Sequence, residues 1–573
     1  MHSRTLPLAA ALSILAGCVT APILPSAASL DRSPAFGAGM VSAPDPRAAA
    51  AGVEMLRAGG SAADAAFATL VALTVVEPQS SGIGGGGFLV YEDGDGTPST
   101  YDGREKAPAA ADGAWFYRDG KPMDIDAAIP GGKSVGVPGN IRMMALAHRD
   151  QGRLSWGQLF LPAIRLARQG FAITPRLHRA LGSSRETAAL SADARALFYG
   201  PDGNPLPVGT MVRNPALAGF LARLALSGPD NFYSGRNAQA IVATVNGAAR
   251  NPSRMTVADV AAYEAKPRPP VCGAYRGHRI CGMGPPSSGA TTVFAILKQL
   301  ERFDLAALGP NSPTSWHLIA ESTRVAFADR DRYLADPDFA QVPVAGLVDP
   351  AYLAGRSALI APDRSLDTVS AGNPAGAPRV TAGVTPDLPG TSHFVAVDRW
   401  GEVASLTSTI ESVFGSGLMV SGYYLNNELT DFSLVPSVDG VPVANRVGPG
   451  KRPRSSMSPT IVYGPDGRVR LAVGAAGGAT IIAQVSRAII GVVDWKLTAQ
   501  QALALPVVFA PGDIVFVERG TSLEGMIPAL RALGHAKIGF REPGSFKANA
   551  IERVGDRWVG AADPRSEGVA AGE

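Results

Sequence analysis

A threonine at the head of a strand can do chemistry if the chain is cut in front of it. In Pro389-Gly390-Thr391-Ser392-His393-Phe394 the Thr391 hydroxyl, as it stands, is a weak nucleophile. Cleavage of the Gly390–Thr391 bond would give Thr391 a free α-amine with an ordinary pKa of about 8. That amine can take the proton of its own hydroxyl, the pairing that activates an N-terminal threonine. Gly390 suits the cut, because without a Cβ it tolerates strained backbone and leaves its carbonyl open to attack. Taken alone, the six residues read as an ordinary turn entering a strand, so the chemical reading depends on what else the chain carries.

Other stretches could serve the same chemistry. Asp102-Gly103-Arg104-Glu105-Lys106-Ala107-Pro108 offers an arginine, whose planar fork fits a carboxylate through two hydrogen bonds or makes a surface ion pair. Ser81-Gly82-Ile83-Gly84-Gly85-Gly86-Gly87-Phe88 invites a phosphate-loop reading, but no Lys-Ser/Thr follows and the next element is a strand. Its glycines fit close passage of backbone instead. Downstream of the junction come a second strand through Thr409, then Phe414-Gly415-Ser416-Gly417 and Leu425-Asn426-Asn427-Glu428-Leu429-Thr430-Asp431-Phe432. These are followed by Lys451-Arg452-Pro453-Arg454-Ser455-Ser456-Met457-Ser458-Pro459 and Gly474-Ala475-Ala476-Gly477-Gly478.

In this order and at these separations the segments resemble the γ-glutamyltranspeptidase family of N-terminal-nucleophile hydrolases. The likeness runs from about residue 45 to residue 565, and the 451–459 run is its most specific part. The resemblance implies an α+β fold, a four-layer αββα sandwich formed jointly by two autoproteolytic fragments. These would be a large subunit, residues 36–390, and a small catalytic subunit, residues 391–573. It implies Thr391 as nucleophile and base, Thr409 as a helper in self-cleavage, and the Gly477 and Gly478 amides as the oxyanion hole. The donor's α-carboxylate would meet Arg104, Ser455 and Ser456, and its α-ammonium Asp431 with Glu428 and Glu411 beside it. Many relatives carry Asn and Gln at the last two positions; acidic residues here should grip an ammonium harder and raise one another's pKa unless cations intervene.

The implied activity is that of an autoprocessed γ-glutamyltransferase/glutathione hydrolase with small-molecule substrates, no cofactor and no metal. It would pass a γ-glutamyl group from Thr391 to water or to an amino acid or peptide amine. Relatives with an active-site lid have a longer, aromatic-bearing loop where this chain has 433–442, so an open cleft is expected. A cephalosporin or glutaryl acylase on the same scaffold is the nearest alternative, although a glutaryl group has no ammonium for Asp431 to hold. An uncleaved, lipid-anchored, non-enzymatic binding protein is the other.

The elements that must position these residues are partly readable. Asp45-Pro46 caps a helix that Gly59-Gly60 ends, and Ser61-Ala62-Ala63-Asp64 reads as a capping box opening a helix to about residue 76. That second helix is apolar on nearly every face and should be buried. Residues 139–264 are mostly helical, and a helix from about 312 to 334 carries Glu321, Arg324, Asp329, Arg330 and Asp331. These five read as a solvated charged face or as internal ion pairs, with no chemistry assigned. Cys272 and Cys281 flank a hairpin turn and could pair in an oxidising compartment or remain reduced core thiols. Residues 361–389, rich in Pro, Gly, Ala and Thr, read as a mobile linker to the cut.

The N-terminus indicates export. Residues 1–17 hold an apolar run too short to span a bilayer, ending in Leu15-Ala16-Gly17-Cys18, which resembles the lipobox of bacterial lipoproteins. Cys18 would then be lipidated, with 18–35 as a tether; a plain secretory signal cleaved near Ala28 is the alternative. Both place the chain in the periplasm or cell envelope, touching a membrane only through the anchor. A formal net charge of +3 over 573 residues gives no reason to expect nucleic acid.

Overall fold

A computed structural model describes residues 39–383 and 390–573. The expected signal peptide, the Cys18 lipidation site, the 18–35 tether and residues 384–389, including Pro389, lie outside the described residues. Two antiparallel sheets form the centre. The first runs Val569–Gly572, Met40–Ala43, Ser392–Val397, Val403–Thr409, Gly86–Glu92, Pro98–Asp102, Lys266–Arg268. The second runs Arg557–Ala562, Lys547–Val554, Val469–Ala476, Thr460–Tyr463, His278–Gly282, Val271–Tyr275.

The sheets stack face to face, with Ser392–Val397 lying over Val469–Ala476 and Lys547–Val554. All six residues of Ser392–Val397 are buried, since side chains from one strand face feed the inter-sheet core and those from the other meet helices. Helices Pro46–Arg57 and Ala62–Val76 cover the first sheet, and Gly289–Leu300 and Thr480–Val493 cover the second. The result is the four-layer αββα sandwich. Asp45 caps the first helix by accepting from the Arg47 amide, and the Ser61/Asp64 capping box opens the second. Every residue of Ala62–Val76 is buried, as its all-round apolar surface requires.

Residues before and after the junction interleave in both sheets. Met40–Ala43 pairs with Ser392–Val397, and His278–Gly282 pairs with Thr460–Tyr463. A cut at position 390 would therefore leave two fragments sharing both sheets. Each buried Val or Phe of the central strand contributes roughly 1.5–3 kcal/mol to holding them together. Cys272 and Cys281 face each other in register across their hairpin and are joined as a disulfide.

One open alternative is decided and one expectation needs correcting. Of the two readings of the charged residues on helix Pro313–Tyr333, internal ion pairs hold and a solvated face does not. Glu321, Arg324, Asp329 and Arg330 are buried, and they pair internally: Glu321 with Arg324 at 2.7 Å, Asp329 with Arg356 at 3.2 Å, Arg330 with Asp331 at 2.6 Å. The stretch 361–383, expected to be a mobile linker, is pinned along its length. Leu366 N donates to Glu321 (2.9 Å), Gly372 N to Asp329 (2.7 Å), and Thr381 N to the Pro442 carbonyl (3.1 Å). It lacks regular structure because its backbone is satisfied by side chains and by other loops.

Candidate active site

Thr391 sits at the open end of the central strand. Its hydroxyl donates to Thr409 Oγ1 at 3.0 Å, and Thr409 Oγ1 accepts from the Glu411 amide at 2.8 Å. The Thr391 backbone N–H donates to the Ser80 carbonyl at 3.0 Å. Thr391 has φ +86°, a conformation that a β-branched residue adopts only under constraint. The constraint is visible next door: a Cβ on Gly390 would lie 1.5 Å from the Glu411 carbonyl oxygen, so only glycine fits there.

The Gly390 carbonyl accepts from the Gly477 amide at 3.1 Å. Gly477 (φ +119°) and Gly478 (φ +60°) form the turn between strand Val469–Ala476 and helix Thr480–Val493. A Cβ at Gly477 would sit 2.7 Å from Thr480 Oγ1 and 2.8 Å from the Ser545 carbonyl. Thr480 Oγ1 donates to the Gly477 carbonyl (2.6 Å) and Gln484 Nε2 to that of Ala476 (2.8 Å), which locks the turn. The glycine run 84–86 packs against the other side. Cβ atoms at Gly84 and Gly85 would lie 2.0 and 1.9 Å from the carbonyls of Tyr424 and Thr409. The run gives close passage of backbone next to the nucleophile's strand.

In front of Thr391 opens a small cleft. Arg104, Glu411, Glu428, Asp431, Ser455, Ser456 and Gly478 all line it, although they come from five separate stretches of sequence. Their pairing differs from the expected two poles. Arg104, 1% exposed, donates to Glu428 and to Asp431, while its Nε and Nη2 also reach the carbonyls of Pro453 (3.1 Å) and Arg454 (3.0 Å). The arginine meant for a donor carboxylate and the acids meant for a donor ammonium are thus bonded to one another. Ser455 Oγ accepts from the Met457 amide (3.1 Å), and Ser456 Oγ accepts from Arg330 (2.6 Å).

Two further cations, Arg330 and Arg454, line the cleft and were not assigned from sequence. Asp331 binds both, at 2.6 and 3.1 Å. Arg454 stands inside the 451–459 run and was legible as a candidate from that context. Arg330 had no distinguishing signal among the other charges of its helix. Behind Thr391 lies an ion pair that sequence reading also missed. Lys547, fully buried, donates to Glu77 (2.8 Å) and Ser392 Oγ (3.2 Å), and Ser392 Oγ donates to Glu77 (2.7 Å).

Burial controls the electrostatics. It pushes the Glu428 carboxyl up to about 7, with Arg104 pulling against it and Asp431 adding to it. Glu411 is raised well above the usual carboxylate range by burial and then by Asp431 and Glu428. Burial works against the Arg104 charge too, but Glu428, Asp431 and Glu105 outweigh it and hold the guanidinium ionised. Arg454 falls to about 10 through burial and the nearby Arg330, and Lys547 to about 8 through burial. The arrangement can hold a zwitterion beside a threonine hydroxyl and a pair of glycine amides.

No aromatic side chain lines the cleft, and the segment expected to be lid-less forms only a short hairpin, Ser437–Val438 with Val441–Pro442. Among the described residues no helix is long and apolar enough to cross a membrane.

Comparisons with known proteins agree with this geometry. The family model described as gamma-glutamyltranspeptidase matches residues 48–573. A glutathione hydrolase proenzyme of Bacillus subtilis (strain 168) is 35% identical over 547 residues, covering 93% of this chain and 91% of its own length. An acylase ACY 1 proenzyme of Pseudomonas sp. (strain SE83) is 34% identical over 551 residues, covering 94% of each. Among solved structures, a cephalosporin acylase from Bacillus halodurans superposes with a TM-score of 0.80 at 26% identity, covering 94% of this chain and 96% of that one.

Proposed function

Because this chain belongs to the γ-glutamyltranspeptidase family, we propose that it cuts itself at Gly390–Thr391 and then transfers γ-glutamyl groups from amides such as glutathione. The acceptor is water or the amine of an amino acid or peptide. Family membership makes it an enzyme and sets aside the reading of an inert binding protein. The observation that carries the proposal is the shared frame at the junction: the Thr391 hydroxyl on Thr409, and the Gly477 amide on the Gly390 carbonyl.

Self-cleavage follows from that frame. Thr391 Oγ1 attacks the Gly390 carbonyl carbon, and the electron pair moves onto the oxygen that the Gly477 amide already holds. Thr409 keeps the hydroxyl oriented. Collapse breaks the Gly390–Thr391 C–N bond, the nitrogen takes the proton, and an ester joins Gly390 to Oγ1. Water then opens the ester, leaving a Gly390 carboxylate and a free Thr391 amine. Turnover repeats the chemistry on a substrate, with that amine as base, a contribution of roughly 10²–10⁴ in rate. The amides of Gly477 and Gly478 receive the oxyanion, each worth about 10²–10³.

In this reading the donor's α-carboxylate goes to the Arg104, Ser455 and Ser456 side and its α-ammonium to Asp431, Glu428 and Glu411. Binding exchanges the internal Arg104–carboxylate pairs for pairs with the donor, so little charge is left uncompensated at any stage. The disulfide fits an oxidising compartment and so export, whether the chain is anchored at Cys18 or released by a plain signal cleavage. Acylase relatives make a glutaryl donor the second reading. Three acids in the cleft, Glu411 and Glu428 buried and Asp431 partly so, favour the γ-glutamyl group, since glutaryl offers them no cation. Turnover of γ-glutamyl- against glutaryl-p-nitroanilide decides between them. N-terminal sequencing of the smaller fragment should begin at Thr391, and any other start would overturn the scheme.

A further inference from the structure

A second cavity opens on the far side of Gly390. Gly390 and Gly477 form its wall towards the nucleophile, and Gln79 and Ser80 line it as well. Helix Pro175–Ser183 presents Arg176, Arg179, Ala180 and Ser183 to it. That spacing places the four side chains on one helical face. Among the described residues neither guanidinium has a hydrogen bond or a carboxylate partner from its side chain. Glu567 stands near, but it accepts from the Arg176 backbone amide, at 3.0 Å. Among the described residues no acid lines the cavity. Behind it the buried Glu77 is bonded to Lys547, and it also feels the charge of Arg176.

Chemistry at Thr391 dictates what this cavity faces. In the uncut chain the Gly390 carbonyl carbon marks where an acyl carbon must sit, its oxygen on the Gly477 amide. When a donor's acyl chain fills the cleft in front of Thr391, the remaining substituent on that carbon points back along the path of Gly390, towards the second cavity. That substituent is the departing amine, or the amine that attacks the acyl-enzyme.

Resting on the γ-glutamyl reading above, we propose that Arg176 and Arg179 form a subsite for the carboxylate of an amino acid or dipeptide amine. In transfer, that amine's nitrogen bonds to the acyl carbon, the bond to Thr391 Oγ1 breaks, and the amine's proton returns to Oγ1 through the Thr391 α-amine. The two arginines hold the far end of the same molecule. With cations and no acids, the cavity selects an anion where the front cleft selects a zwitterion.

The test compares leaving amines with and without a carboxylate. The processed enzyme and its Arg176→Ala/Arg179→Ala variant are assayed for hydrolysis of glutathione and of γ-glutamyl-p-nitroanilide, whose leaving amine is uncharged. The ratio of the two kcat/KM values should fall about tenfold or more in the variant, the size expected for losing charge-assisted hydrogen bonds. Arg176→Lys/Arg179→Lys should restore part of it. Glycylglycine should lose its advantage over glycylglycinamide as acceptor in the same variant. A ratio unchanged within twofold overturns the subsite, as does an equal loss on both substrates or a defect confined to self-cleavage. If the parent enzyme releases neither amine, the γ-glutamyl reading itself falls and takes the subsite with it.

Discussion

The cleft in front of Thr391 and the cavity behind Gly390 share a wall one peptide thick, yet they distribute charge in opposite ways. The cleft brings Arg104, Arg330 and Arg454 together with Glu411, Glu428 and Asp431; Arg104 is bonded to Glu428 and Asp431, and Arg330 and Arg454 to Asp331 beside them. Among the described residues the cavity has Arg176 and Arg179 and no acid. A balanced site loses nothing when a zwitterion replaces its internal pairs, and it disfavours a singly charged ligand, which would leave a buried partner alone. An unbalanced, half-open site attracts any anion and screens it with solvent. The comparison implies a strict donor site and a permissive acceptor site, separated by the two glycines that handle the reacting carbonyl.

The comparison breaks completely if the wall cannot open. Thr391→Ala should remain a single band near 59 kDa on a denaturing gel and lose turnover by 10⁴ or more, because nucleophile and base disappear together. Gly477→Ala acts in the wall itself. Its Cβ would press on Thr480 and Ser545, turning the amide aside, so kcat should fall about 10²–10³ for every substrate alike. A loss that depended on the leaving amine would blur the two sites into one. Arg104→Lys sharpens the contrast from the donor side. Losing the fork should cost about 10–100-fold in kcat/KM for any γ-glutamyl donor, with the preference among acceptors kept.

The smallest effect is on pH. The Glu428 carboxyl titrates near 7 in the free enzyme, so it is neutral below that value and ionised above it. An ammonium is held better by the ionised form, so kcat/KM should rise as pH passes upward through about 7. Glu428→Gln should flatten that limb at a cost of a few fold at pH 8. A limb that stayed in place would assign it to another group, Glu411 or the Thr391 amine.

Much of this was readable from the chain because it is local. The Asp45 cap, the Ser61/Asp64 box, the buried Ala62–Val76 helix and the glycine-threonine junction each declare themselves within a few residues. The cleft lining was readable only through a family resemblance, since Arg104 and Glu428 are 324 positions apart and no spacing rule joins them. What stayed hidden depended on tertiary burial. Arg330 looks like its neighbours until the helix is placed, and Lys547 looks like a surface lysine in an alternating strand. Residues 361–383 read as free chain because their order comes from distant partners such as Glu321 and Asp329 rather than from any pattern of their own.

The +86° torsion at Thr391 is measured against the carbonyl of the residue before it. A residue that begins a chain has no such angle. Scission therefore abolishes the distortion outright, and rejoining the ends would have to recreate it, at about 1–3 kcal/mol, or roughly a 5- to 150-fold bias against resealing. On the proposed scheme maturation is in this sense a ratchet: the precursor is a wound spring, and once it is let go the return to dormancy runs uphill.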